Sequence, residues 1–229
     1  MAISVVQAQA IDEGDSFTNN VTAGNTVFIV PICYEFGSST IDTSNPTLGG
    51  NSVPGSQLLT SIQNPNDSGP GGGMAYTGVW MMPNCPGGSS SIGLSIAAGN
   101  FLDMIVFEVA GLGTAPTLSQ SSVGQNLNSY SLSSGATGSI AEVPQIIIGG
   151  GTLINLPQTL VGSPWTSVQD NTKYGQASYQ IATTTGGSYT WATTAVNDYT
   201  NSWAACCVTV QATNAVIPTF PGLLLTSFL

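Results

Sequence analysis

The sequence is short of basic side chains above all. In 229 residues there is one lysine, Lys173, with no arginine and no histidine. Eleven carboxylates leave a formal charge of −10, and only 5% of residues are charged, against about 25% in an ordinary soluble chain. Each shortage excludes something. Binding to DNA or RNA needs several Lys or Arg to neutralise phosphates, so nucleic acid is not an expected partner. An anionic membrane surface would repel the chain. Without histidine there is no Ser-His-Asp or Cys-His catalytic arrangement, and zinc loses its commonest nitrogen ligand. No cofactor is expected. The first fourteen residues have neither a basic start nor a long apolar stretch, so no secretory signal is expected.

Low charge does not make the chain a disordered one. It is 41% hydrophobic, above the composition that keeps chains unfolded. The polar remainder is mostly Ser, Thr, Asn, Gln and Gly. A surface made of these residues is uncharged and rich in hydrogen-bonding groups, which suits packing against neighbouring subunits.

Helical periodicity is weak throughout. Short runs of Val, Ile, Thr and aromatics between Gly, Pro, Asn and Ser predict strands. They fall near 3–10, 16–21, 26–36, 57–63, 74–82, 92–98, 101–110, 127–133, 143–149, 173–183, 187–194 and 202–212. Thr184-Thr185-Gly186-Gly187 predicts a hairpin between 173–183 and 187–194. In the first of these, Ala177, Tyr179 and Ile181 should point inward, with Gln176, Ser178 and Gln180 outward. Long loops are expected over 37–73, 111–141 and 149–172, and Gly71–Gly73 and Gly149–Gly151 read as turns. The fold class is all-β: a single antiparallel sandwich over residues 1–212, followed by an extended apolar tail, 213–229.

Strands 26–36 and 101–110 are apolar on both sides, whereas a simple sandwich strand has one wet face. Their second faces should be covered by loops or by another subunit, which makes Phe28, Tyr34, Phe36, Leu102 and Met104 candidate assembly contacts. Pro31 points to a bulge or an edge position. The tail, interrupted by Pro218 and Pro221, supplies further candidates in Ile217, Phe220, Leu223, Leu224, Leu225 and Phe228. It should pack on its own domain or on a neighbour.

Chemistry is thinly represented. Asp12-Glu13-Gly14-Asp15 reads as a solvated turn, with a Ca²⁺ site as the alternative. Glu108 and Glu142 could in principle form a glycosidase pair, but Glu108 reads better as a structural acid near a strand end. Cys33, Cys85, Cys206 and Cys207 read as small buried hydrophobes, with a disulfide from Cys33 to Cys206 or Cys85 as the alternative. Most aromatics at strand positions read as core. Trp165 and Tyr199, in loop-like contexts, are candidates for stacking on sugar rings.

Three segments carry a resemblance: Thr22-Ala23-Gly24-Asn25-Thr26 leading into an apolar strand, Leu102–Gly111 with a Glu before a small-Gly step, and Ser202-Trp203-Ala204-Ala205-Cys206-Cys207-Val208. Together with the N-terminal strand Ile3–Ala8, they resemble a sandwich family common among actinobacteriophage minor tail and accessory virion proteins. The resemblance implies a jelly-roll-like sandwich and a place in the virion, with a chain made in the host cytoplasm. It implies no catalytic site. The function expected is a non-enzymatic structural one, as a minor tail or capsid decoration protein that oligomerises and contacts other virion proteins. The alternative is a module that binds host-surface glycan.

Overall fold

The two strands that read as apolar on both sides lie side by side in the middle of one sheet. In the computed structural model the described residues are 2–12, 16–35, 43–64, 73–95, 101–154, 157–170, 174–196 and 201–213. Among these the chain is all-β. In order, the strands are β1 (Ser4–Asp12), β2 (Thr26–Glu35), β3 (Thr47–Leu48), β4 (Asn51–Ser52), β5 (Gln57–Gln63), β6 (Met74–Met82), β7 (Ile92–Gly93) and β8 (Phe101–Ala110). The second half adds β9 (Thr117–Ser129), β10 (Ser131–Ala136), β11 (Gln145–Leu153), β12 (Thr166–Gln169), β13 (Gly175–Ala182), β14 (Thr190–Thr194) and β15 (Asn201–Gln211).

Two five-stranded antiparallel sheets form the body. The first has the order β1-β8-β2-β6-β5 and the second β12-β13-β11-β15-β9. Each is drawn from one half of the chain. Alternate residues of facing strands meet between them: Phe28, Val30, Ile105 and Phe107 from the first sheet pack with Ile146, Ile148, Cys206 and Val208 from the second. The sandwich expected from the sequence is therefore present.

Both outer faces are also covered, and this chain covers them itself. Over the first sheet lie segments around Phe17, Val21, Leu48, Val53, Cys85 and Ile92, which bury Ile29, Trp80, Met104 and Val106 in a second core. A small sheet of β4, β3 and β7 belongs to this layer. Over the second sheet lies the two-stranded ribbon of β10 and β14, whose Leu132 and Trp191 pack on Ile147, Ala205 and Cys207. Four layers explain why all nine residues of β6, and all nine of β11, are buried.

Several expectations are corrected. The stretch Gly149–Gly151 is not a turn but the middle of β11, in the centre of a sheet. Its glycines let other residues approach. A Cβ at Gly150 would stand 2.6 Å from Val30 Cγ1 of the opposite sheet, and one at Gly149 would stand 2.5 Å from Trp191 Cβ of the ribbon. The hairpin expected at Thr184–Gly187 is not a pairing. β13 pairs with β11 and β12, while β14 pairs with β10, so the turn carries the chain from one layer to the next. Gln176 and Ser178 do face away from the sandwich core, yet both are fully buried under the ribbon layer. The long loop expected over 111–141 contains β9 and β10, and that over 149–172 contains the end of β11 and β12. The strand expected at 16–21 is reduced to a single bridge, Ser16 to Ser91. Pro31 sits in an interior strand, where the ladder to β6 skips Val30 and Pro31 while the ladder to β8 continues.

Candidate interaction surface

The expected assembly residues separate once they are placed. Phe28 is 0% exposed in the sandwich core, while Met104 at 0% and Leu102 at 6% lie under the outer layer of the first sheet. These three have no surface to offer a neighbour, because their own chain supplies the cover that the sequence left open. Tyr34 is partly exposed and meets Tyr174 edge-on, with ring centres 6.0 Å apart. Phe36, Ile217, Phe220, Leu223, Leu224, Leu225 and Phe228 lie outside the described residues, as does Tyr199. Trp165 is partly exposed and packs against the cluster beneath the ribbon. The strand aromatics Tyr76, Trp80, Trp191 and Trp203 are core, as expected.

Two pieces of the resembling sequence meet at Glu108. This carboxylate is 0% exposed on the outer side of β8. It accepts hydrogen bonds from the Thr22 backbone N–H at 2.8 Å, from Asn25 Nδ2 at 2.6 Å and from Gln7 Nε2 at 2.6 Å. Burial alone would raise its pKa, but these donors outweigh it and hold the carboxyl below its ordinary value. A carboxylate held ionised by three donors of its own chain is poorly suited to give up a proton as a general acid. Glu142 lies elsewhere, before β11, and accepts from Gln211 Nε2. The structure thus gives Glu108 the structural role, clamping the Thr22–Asn25 turn to the sheet.

A different balance holds at the other end of β8. Asp103 faces Asp12 across the β1–β8 ladder. Burial, then the charges of Asp170 and Asp12, push its pKa up to about 6. Glu13 and Asp15 lie outside the described residues. Among the described residues, no three His, Cys, Asp or Glu side chains stand together as a metal site.

All four cysteines are free and buried. Cys33 belongs to the outer core of the first sheet and Cys206 to the core between the sheets, so the sheet itself separates them. Cys85 donates to the Met82 carbonyl at 3.4 Å. The alternative of a disulfide is overturned, and burial raises every thiol pKa, to about 11 at Cys85 and about 12 at Cys206.

The surface that the sequence did not indicate is the β9 edge of the second sheet. Leu118 registers with Val210 and Val123 with Cys206. Cross-strand partners share a face, so both side chains point to the sandwich side. They remain 39% and 42% exposed there. No described strand pairs with the far side of β9. The polar sequence of this strand, TLSQSSVGQNLNS, hides it from a hydrophobicity pattern. Only the spacing of Leu118, Val123 and Leu127 among β-compatible Ser and Gln could have marked it. A separate polar groove of about 310 Å³ opens between Ser44, Asn45, Ser91 and Ser95, and Ser44 Oγ and Ser95 Oγ lie 2.8 Å apart.

Comparison with known proteins returns no match to any family model, to any curated protein or to any solved structure.

Proposed function

We propose that the chain is a non-enzymatic structural protein of a bacteriophage virion, a minor tail or capsid decoration protein that packs against neighbouring subunits. The observation that carries the reading is the β9 edge. It is thirteen residues long, uncharged and unpaired among the described strands, on a body whose sheet faces are otherwise covered by its own layers. Sheet edges offer rows of free backbone donors and acceptors, and monomeric proteins guard them with charge, proline or bulges that twist them away. β9 has no charge and no proline, and its pairing to β15 is irregular only at its two ends. The hydroxyl- and amide-rich composition and the resemblance described above add the virion to this reading.

The test is to purify intact particles and locate the chain by mass spectrometry and electron cryo-microscopy. A fixed copy number at a regular position supports the reading, and absence from particles overturns it. The second reading, attachment to host-surface glycan, rests on the partly exposed Trp165. Binding of the purified chain to host cell wall, lost in Trp165→Ala, would favour it.

A further inference from the structure

We propose that the polar groove between the Ser44–Thr47 and Ser91–Ser95 segments is a binding site for a neutral saccharide of one or two rings. The inference goes beyond the assembly reading and gives a sugar a site other than Trp165.

The groove lies where two paired segments part. Thr47 and Leu48 of β3 pair with Gly93 and Ile92 of β7. The segments meet again at Ser44 and Ser95. There the Ser44 N–H donates to the Ser95 carbonyl at 2.9 Å, and the Ser95 N–H donates to Ser44 Oγ at 3.1 Å. Between these contacts one side has Asn45 and Pro46, and the other has Leu94 alone. The extra residue makes a bulge, and the hollow beside it has a volume of about 310 Å³. Its wall is fixed from below. Thr43 Oγ1 accepts from Trp80 Nε1 at 3.1 Å and lies 3.2 Å from Tyr76 Oη. Pro46 is buried, and a proline restricts the residue before it to extended conformations, so the backbone of Asn45 is preset. A wall built this way loses little freedom when a ligand arrives.

The lining selects the ligand. None of its eight residues is charged, so an ionic ligand would give up hydration and find no counter-charge. Asn45, Thr47 and Ser91 line the hollow, and among the described residues their side chains make no hydrogen bond. They offer one amide and two hydroxyls, which together donate and accept. The Thr47 hydroxyl reaches over bare Gly93, where a Cβ would stand 2.5 Å from Oγ1. Ile92 and Leu94, buried on either side of Gly93, make the base partly apolar. A sugar ring has the matching chemistry, with hydroxyls that donate and accept around its rim and C–H groups on its faces. The volume stands at the lower end of small-molecule sites, about 300–1,000 Å³, which limits the ligand to one or two rings. Trp165 is far from this groove in the fold. Ile92 and Leu94 belong to the core outside the first sheet, and Trp165 packs on the cluster outside the second.

The experiment titrates the full chain with glucose, galactose, N-acetylglucosamine and glucuronate, followed by NMR of the backbone and side-chain amides. A single ring makes few contacts, so the titration runs to about 50 mM. At least one neutral sugar is expected to shift the amides of Asn45, Gly93 and Ser95 to saturation, and glucuronate should not. Asn45 is exposed and unbonded in the fold. Asn45→Ala should therefore keep the melting temperature and weaken binding about five- to tenfold. Ser91→Tyr, also at an exposed position, fills the hollow and should abolish saturation. Trp165→Ala should leave the affinity unchanged. Neutral sugars that shift none of these amides overturn the proposal, as does glucuronate bound as tightly as they are. Binding that persists unchanged in Asn45→Ala and Ser91→Tyr, or that is lost in Trp165→Ala, places the sugar elsewhere and overturns it too. The chain's presence in particles is a separate measurement, so a groove that binds nothing leaves the virion reading to its own result.

Discussion

Trp191 occupies the space that a side chain at Gly149 would need. A Cβ built on Gly149 would stand 2.5 Å from the Cβ of Trp191, and one on Gly151 would stand 2.6 Å from its Cζ3. The indole is fully buried and donates through Nε1 to Ser178 Oγ at 3.2 Å, while its backbone N–H donates to Ser134 Oγ at 3.1 Å. A run of glycines in the middle of a strand is ordinarily a weakness. Here it is the seat on which the ribbon layer rests.

Gly151→Ala should therefore destabilise the chain by about 2–3 kcal/mol, since its methyl would stand 2.6 Å from Cζ3 of the fully buried indole. Trp191→Ala should cost about 3–5 kcal/mol by emptying the layer. The double variant should cost clearly less than the sum, because the added methyl then enters vacated space. Denaturant midpoints of the four proteins measure this. Additive losses would mean that the two residues do not compete for the same volume.

Gln176 offers a second test of the same layer. Its amide is fully buried. Its Nε2 donates to the Thr159 carbonyl at 2.6 Å, and its Oε1 accepts from the Val161 N–H at 3.0 Å. Gln176→Leu keeps the volume but leaves the Val161 N–H without its acceptor and takes one of two donors from the Thr159 carbonyl, which still accepts from Thr193 Oγ1, at a cost of about 1–3 kcal/mol. Faster hydrogen exchange around Val161, with exchange at Ile105 and Phe107 unchanged, would locate the loss in the covering segment.

How much of this was legible in the sequence depends on the residue. Val27–Val30 and Leu102–Val109 showed strands buried on both sides because every position but Asp103 and Glu108 is apolar. They could not show what did the covering, since Phe17, Val21, Leu48 and Ile92 are scattered through Ser- and Gly-rich segments with no period. Phe28 and Met104 thus read as contacts to a neighbour when the neighbour is their own chain. Gly149–Gly151 read as a turn because local propensity does not register Trp191, forty residues away in sequence. β9 went unseen because its exposed positions are Ser, Gln and Asn, which read as loop. One unit joins residues that lie far apart in the sequence. The Thr22–Asn25 turn and Glu108 are 83 residues or more apart, yet they form one hydrogen-bonded unit.

That unit predicts an acid-side loss of stability. The folded-state pKa of Glu108 lies below its ordinary value. Its contribution is present above the unfolded pKa of about 4.3, and it disappears as pH falls through the lower folded value. Glu108→Gln places an amide among donors and should cost about 1–3 kcal/mol at neutral pH. The penalty should shrink below pH 4. Melting temperatures across pH 2–7 for both proteins check the sign, and a penalty that stays constant with pH would show that the carboxylate charge plays no part.

Asp103, on the same strand, predicts the opposite slope in a higher window. Its folded pKa is raised to about 6, against about 3.9 unfolded. Its contribution is fully present below the unfolded value and is lost as pH rises through about 6, because the folded state then has to ionise a carboxyl beside Asp12 and Asp170. Asp103 is only partly buried, so solvent screening holds the effect to about 1 kcal/mol. Asp103→Asn keeps the shape without the charge. It should match the parent near pH 4 and exceed it by about that amount at pH 7. Since the charge of Asp12 is one cause of the raised value, Asp12→Asn should shift the Asp103 transition toward lower pH, a shift readable as the carboxyl signal of Asp103 in a pH titration by NMR. An Asp103 that titrates near 4 in the parent protein would remove the argument. A value near 6 that falls part of the way in Asp12→Asn would show that the cross-strand pair adds to burial and Asp170 in raising it.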